Sequence, residues 1–181
     1  ISERDAVEKL LKLRKQAAPD LKYLADHPGI ESLLAKNSLI GDPDGRKWKN
    51  APYNRNQKYP EGLKYSTVVP GLMVRSKAEA DLAGAFERNS VPYHYDEIVN
   101  IGGIDFAIDF ICLNVRTRKI WYWDHRGMMD NTEYIQKTLN CDAAFLNHGI
   151  IPWVNLIITT ETRDQPLDLQ WVEMLIRFFL L

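Results

Sequence analysis

Long apolar runs are missing from this chain. None approaches the roughly 18 residues that a membrane helix needs, so no membrane partner is expected. Cysteine is scarce: Cys112 and Cys141 are the only two in 181 residues. Two cysteines make no disulfide framework, and a reduced, cytoplasmic setting is the expectation. There is no internal repeat. A GxxxxGK(S/T) loop is absent, which argues against P-loop nucleotide hydrolysis, and so is a GxSxG elbow, which argues against the common serine hydrolases. His94, His125 and His148 occur with the two cysteines in no CxxC or HxxxH spacing, so zinc is not expected. An excess of either charge is lacking overall, with a net charge of −1.

That balance hides an asymmetry. Residues 1–41 carry a net charge of +1, residues 42–77 carry +5 and residues 78–181 carry −7. A basic middle beside an acidic remainder fits either a phosphate-contacting arm next to a carboxylate site or a solvated linker. The composition, 45% hydrophobic and 26% charged with five tryptophans, is that of a globular chain able to build a core.

Punctuation along the chain sets the organisation. Ala6, Val7, Leu10, Leu11 and Leu13 recur at helical spacing behind Ser2, which predicts a helix over 3–16. Shorter helices are expected near 20–26 and 30–36. Residues 1–40 thus form a small helical segment, which either packs on the same domain or makes a homo-oligomer through the N-terminal helix. Residues 41–65 are rich in Gly, Pro, Asn and Lys and are expected to be a basic extended arm or linker. Its Trp48, Tyr53, Tyr59 and Tyr65, interleaved with Lys47, Lys49, Arg55, Lys58 and Lys64, suit two roles equally: contact with nucleic acid, or an arm that wraps the domain and buries its rings. With Arg75, these basic residues are the candidate nucleic-acid ligands.

From 66 to 181 the texture is that of a mixed α/β domain. SKAEADLAGAFERN (76–89) predicts a helix capped by Ser76, with Glu79 completing a capping box, Ala80, Ala83 and Phe86 on its apolar side and Leu82 on the flank. YHYDEIVNI, IDFAIDFICL and IWYWDH predict three strands in a meander, followed by a helix over about 131–147, a strand at 154–161 and a helix over 168–180. Helices on such a sheet complete the order helix, three strands, helix, strand, helix.

Strand alternation then picks out the acids. Ile104, Phe106, Ile108 and Phe110 are expected on one face of the second strand, and Asp105, Ala107, Asp109 and Ile111 on the other. In the third strand Tyr122, Asp124 and Arg126 share a face opposite Trp121, Trp123 and His125. Asp124 therefore arrives beside the strand that carries Asp109, and carboxylates on neighbouring strands can jointly hold a hard divalent cation. Glu79, at the start of the preceding helix, could add a third oxygen, or serve only as a cap.

Taken together, MVRSKAE (73–79), AIDF (107–110) and WDHRGMMD (123–130) resemble the PD-(D/E)XK nuclease superfamily. They resemble in particular a group of uncharacterised bacterial proteins with a WEHFGMMD-like strand end. NHGIIPWVNLIITTET (147–162) looks like the same group's link from helix to last strand. The likeness spans about residues 46–181. It implies a restriction-endonuclease-like core and assigns Glu79, Asp109 and Asp124 to Mg²⁺ or Mn²⁺. It implies hydrolysis of nucleic-acid phosphodiesters, DNA first among them, in which the metal acidifies a water and offsets charge on the phosphate.

The chain also departs from the family pattern. Ile108 stands where a proline is common, and Asp124 replaces a longer Glu. The consensus lysine is absent. Arg126 keeps its spacing and face but is a poor proton-transfer group. His125 would need a bulge to reach the metal face. Lys77, beside a helix N-terminus that favours phosphate, is the third candidate for the catalytic cation. The alternative function is a catalytically impaired nuclease-like domain that binds DNA or a protein.

Overall fold

The computed structural model describes residues 42–58 and 60–181. The helices expected at 3–16, 20–26 and 30–36, the oligomer contact assigned to the first of them, and Tyr59 lie outside the described residues.

The basic stretch expected to be extended begins instead with a helix, α1 (Pro43–Lys49). Asp42 caps it, its carboxylate accepting the Gly45 N–H at 2.9 Å, and Pro43 takes the first position, where a missing N–H costs nothing. Beyond α1 the chain does extend, along the outer edge of β3 (Tyr93–Ile101). Ile98 N–H donates to the Asn54 carbonyl at 2.8 Å and Asn56 N–H to the Asp96 carbonyl at 2.7 Å. Trp48 and Tyr53 stack on either side of His94 with ring centroids 4.0 and 4.1 Å away. These two rings therefore pack against the sheet, and the arm covers an edge that would otherwise expose unpaired backbone groups.

A short hairpin, β1 (Tyr65–Ser66) with β2 (Met73–Val74), leads to α2 (Lys77–Arg88). Ser76 caps α2 as expected, its hydroxyl accepting the Glu79 N–H at 3.1 Å. The return bond of the capping box is displaced by one residue, because Glu79 Oε2 accepts the N–H of Arg75 rather than that of Ser76. Leu82, expected on the flank, is fully buried beside Ala83 and Phe86, whereas Ala80 is half-buried.

Strands β3, β4 (Ile104–Leu113), β5 (Ile120–Arg126) and β6 (Leu156–Thr160) form one sheet in that order. The first three make the antiparallel meander. β6 runs parallel to β5, which requires a crossover, and α3 (Thr132–Asn147) supplies it. α4 (Leu169–Phe179) closes the chain. The element order matches the sequence expectation, and the described residues form a mixed α/β fold with four helices on a mixed four-stranded sheet.

A core lies on each face. Leu82 and Phe86 of α2 and Val172, Leu175 and Ile176 of α4 pack with Tyr93, Tyr95, Phe110, Trp123 and Ile157. On the other face Phe145 of α3 and Ile150 pack with Phe106, Ile108, Ile111 and Leu156. Strict alternation along β4 therefore fails. Phe106 and Ile108 face α3 while Phe110 faces α2, and β3 makes the same exchange between Tyr95 and Val99. The cause is Asp96, whose φ of +53° is left-handed. Tyr95 pairs with Phe110 and Glu97 with Ile108, so Asp96 falls opposite Asp109 with no residue inserted.

Candidate functional site

The site is built where β4 and β5 separate. Their ladder runs from Leu113–Ile120 to Phe110–Trp123 and stops, while β5 continues along β6 as far as Arg126–Thr160. Asp109 occupies the fork. Its Oδ2 accepts the main-chain N–H of His125 at 2.7 Å, where a regular ladder would have offered a carbonyl.

Two other carboxylates act on it. Burial, then the charges of Asp124 and Glu79, push the Asp109 carboxyl well above the usual carboxylate range, against the His125 N–H, which favours the anion. Glu79 is held by two donors: the Tyr95 hydroxyl at 2.5 Å and the Arg75 N–H at 3.0 Å, both on Oε2. Asp124 Oδ2 accepts from Arg126 Nε at 2.9 Å. Glu79 Oε1, Asp109 Oδ1 and Asp124 Oδ1 have no protein donor among the described residues.

β5 keeps the alternation read from its sequence. Tyr122 packs on the α3 side, and Arg126 reaches Asp142 of α3 with both guanidinium arms, Nη1 at 3.1 Å from Oδ2 and Nη2 in a short contact with Oδ1. Burial disfavours the Arg126 charge, but Asp142 and Asp124 outweigh it. His125 stays on the side of Trp123, and both rings meet the hydroxyl of Thr159, at 3.1 Å from Nδ1 and 3.0 Å from the indole nitrogen. β5 pairs regularly with β6 through this point, so no bulge brings the His125 ring round. The buried Nε2 makes no hydrogen bond and lies 3.5 Å from Glu161 Oε1. Lys77 is exposed on a cleft of about 450 Å³ that Arg75, Ser76, Asp81 and Glu161 also line.

Of the candidate nucleic-acid ligands, Lys47, Lys58 and Lys64 are exposed. The other three are engaged within the fold. Lys49 pairs with Glu87, Arg55 donates to the Met73 carbonyl at 3.0 Å, and Arg75 pairs with the buried Asp96 at 2.5 Å.

Several residues of this neighbourhood were not singled out from the sequence. Asp142 anchors Arg126, and Tyr134 lies close enough for Asp124 and Asp109 to help burial raise its phenol pKa. Tyr134, Thr138 and Asp142 are spaced four apart on α3, which puts them on one face, and that signal was available. Tyr95, which donates to Glu79, looks like a core aromatic in sequence. Asp96 carried no signal, since a left-handed conformation within a strand is visible only in the backbone.

The donor set suits a hard divalent cation: three carboxylates, each with a spare oxygen, one of them strained by its neighbours. As placed, no three His, Cys, Asp or Glu side chains converge to ligand distance among the described residues. The sequence matches no family model, and no curated protein or solved structure shows a significant likeness to it.

Proposed function

We propose that this chain is a Mg²⁺- or Mn²⁺-dependent phosphodiesterase with a PD-(D/E)XK-like core, hydrolysing nucleic acid and in the first instance DNA. One observation carries the reading. Asp109 sits at the β4–β5 fork with its carboxyl held well above the ordinary range by burial, Asp124 and Glu79. Burying a carboxyl under the charges of two others is costly unless a cation joins them.

Glu79, Asp109 and Asp124 would hold that ion. When bound it supplies positive charge against a phosphate and acidifies a water. The protein's own part is positioning. Tyr95 and the Arg75 N–H fix Glu79, the His125 N–H fixes Asp109, and Arg126 fixes Asp124. Lys77, the first residue of α2 and so at a helix N-terminus, is an exposed cation that could meet a phosphate. Arg126 shares the face of Asp124, and its guanidinium holds charge without moving a proton.

The engagement of Arg126 favours a second reading. A cation already matched by Asp124 and Asp142 has little left for a substrate, as expected of a domain that binds DNA or a protein without cutting. Incubation of the full chain with plasmid, branched and single-stranded DNA separates the two. Cleavage in Mg²⁺ or Mn²⁺ that chelator and Asp109→Ala both abolish supports the enzyme. DNA retention without cleavage, and no Mn²⁺ heat in calorimetry, supports the binding domain. Cleavage that survives Asp109→Ala places the activity elsewhere.

A further inference from the structure

The His125 ring is a buried polar group that the carboxylate site leaves unused. Its side chain is 2% exposed, and its Nε2 makes no hydrogen bond. Nδ1 meets the Thr159 hydroxyl at 3.1 Å. That hydroxyl also accepts the Trp123 indole N–H at 3.0 Å, so the ring is oriented by a neighbour that is itself held. Nε2 is thereby aimed at Glu161 Oε1, 3.5 Å away. Neither state of Nε2 satisfies the pair. Bare, its lone pair faces an anion; protonated, its N–H stops short of a hydrogen bond. An unsatisfied buried nitrogen is costly, and a cation held between the two atoms satisfies both.

Glu161 is pinned for such a role. It follows β6 directly, its N–H donates to the Arg126 carbonyl at 2.9 Å, and its carbonyl accepts the Met129 N–H at 3.1 Å. Its Oε2 accepts the Leu167 N–H at 3.3 Å, which leaves Oε1 spare. Gly127 puts no side chain in the gap, where a Cβ would lie 3.3 Å from Oε1 and 3.8 Å from Nε2. Glu161 and Gly127 line a cleft of about 440 Å³ with Asp130, Asn131, Thr162 and Arg163, so the gap can be approached from solvent.

The spacing selects the ion. Imidazole with carboxylate suits Zn²⁺ and its first-row neighbours better than Mg²⁺. Two bonds of about 2.0–2.1 Å at a tetrahedral angle set their ligand atoms roughly 3.3–3.4 Å apart. Octahedral Mg²⁺, across a right angle, would need roughly 2.9 Å. The observed 3.5 Å is nearer the first. No short spacing motif joins residues 125 and 161, so the pair is invisible to a motif reading of the chain.

We propose that His125 Nε2 and Glu161 Oε1 form a second metal site, which takes Zn²⁺ or a similar transition ion in four-coordinate geometry. The two remaining positions are open to water from the cleft. The ion would tie β5 to the segment that follows β6. The site uses none of the three carboxylates at the fork and does not depend on whether that fork cuts DNA.

Co²⁺ titration of the metal-free chain tests this, because the visible absorption of Co²⁺ is strong in four-coordinate sites and weak in six-coordinate ones. The expected result is a strong band, displaced by Zn²⁺, in the parent and in Asp109→Asn. The latter keeps an acceptor for the His125 N–H and disables the carboxylate fork. Glu161→Gln and His125→Gln should each weaken Co²⁺ binding about tenfold or more. Circular dichroism confirms folding. Glu161→Gln, at a side chain 24% exposed and with its bond to the Leu167 N–H retained, decides the matter if His125→Gln unfolds. Absence of a strong band, or a band that Glu161→Gln leaves unchanged, would overturn the site. So would a band lost in Asp109→Asn, which would place the ion on the carboxylates.

Discussion

The carboxylate of Asp109 accepts the main-chain N–H of His125 at 2.7 Å, and that bond spans the fork where β4 and β5 part. It favours the anion, yet burial, Asp124 and Glu79 together raise the carboxyl well above its ordinary range. A native pKa above the unfolded one means that the folded chain binds the proton more tightly. In chelator, the Asp109 contribution to stability is therefore present below about pH 4 and is lost as pH rises through the raised native value. Asp109→Asn keeps an acceptor for the His125 N–H and removes the charge. In chelator at neutral pH this variant is expected to melt no lower than the parent, while cleavage falls roughly 100-fold or more. Scanning calorimetry from pH 4 to 8 checks the first part. A parent and variant that lose stability in parallel as pH rises would contradict it.

Arg126 joins Asp124 on its own strand to Asp142 on α3, and only 9% of its side chain is exposed. Arg126→Ala leaves two carboxylates without their cation. The expected loss is about 3 kcal/mol, at the low end for a buried pair, because Asp124 and Asp142 are 26% and 23% exposed and regain some water. Arg126→Lys restores charge but not the two-armed grip and should lie between the two. Urea denaturation of the three proteins gives the order.

The face assignment of β5 was legible because that strand is regular. Its ladder to β6 runs unbroken from Tyr122 to Arg126, so Asp124 and Arg126 emerge together and Trp123 and His125 opposite, as period two requires. β4 obeys the same rule in sequence and breaks it in space, because its neighbour β3 turns left-handed at Asp96. No pattern within IDFAIDF reports a φ angle on another strand. The arm illustrates a different limit. Basic and aromatic residues interleave equally well for nucleic acid and for a wrapped edge, and it takes the partners of Lys49, Arg55 and Arg75 to show which charges the fold itself uses.

Asp96 carries two requirements, and substitutions can separate them. Its φ of +53° disfavours most side chains, and its carboxylate, 4% exposed, pairs with Arg75. Asp96→Asn retains tolerance of the left-handed region and a hydrogen-bond acceptor, so the expected cost is under about 1 kcal/mol. Asp96→Ala meets neither requirement and should cost about 2–3 kcal/mol. Both strands exchange faces at this point, where Asp96 lies opposite Asp109, so Asp96→Ala should also perturb Asp109. Amide exchange at His125, whose N–H Asp109 accepts, reports it. Equal stability of the two variants would show that the left-handed turn carries no strain.

Asp42 should titrate in the opposite sense to Asp109. Its hydrogen bonds to Arg118 lower the carboxyl below the ordinary range, helped by the Gly45 N–H and opposed by partial burial. A depressed native pKa means that the unfolded chain binds the proton more tightly. The stabilisation is therefore present above about pH 4 and is lost as pH falls through the native value. Asp42→Asn should destabilise at neutral pH and converge on the parent in acid, the reverse of Asp109→Asn. Gly45→Ala offers a control with no change of charge. A Cβ there would lie 2.8 Å from Asp42 Cγ and 3.1 Å from Pro92 Cγ, so the cap and the Arg118 pair must shift. Its expected cost is about 1–2 kcal/mol. If Asp42 is anchored through Arg118 as the structure shows, Gly45→Ala also weakens the pH dependence that Asp42→Asn removes. Melting curves of the three proteins between pH 3 and 7 decide this, and a Gly45→Ala profile parallel to that of the parent would detach the cap from the ion pair.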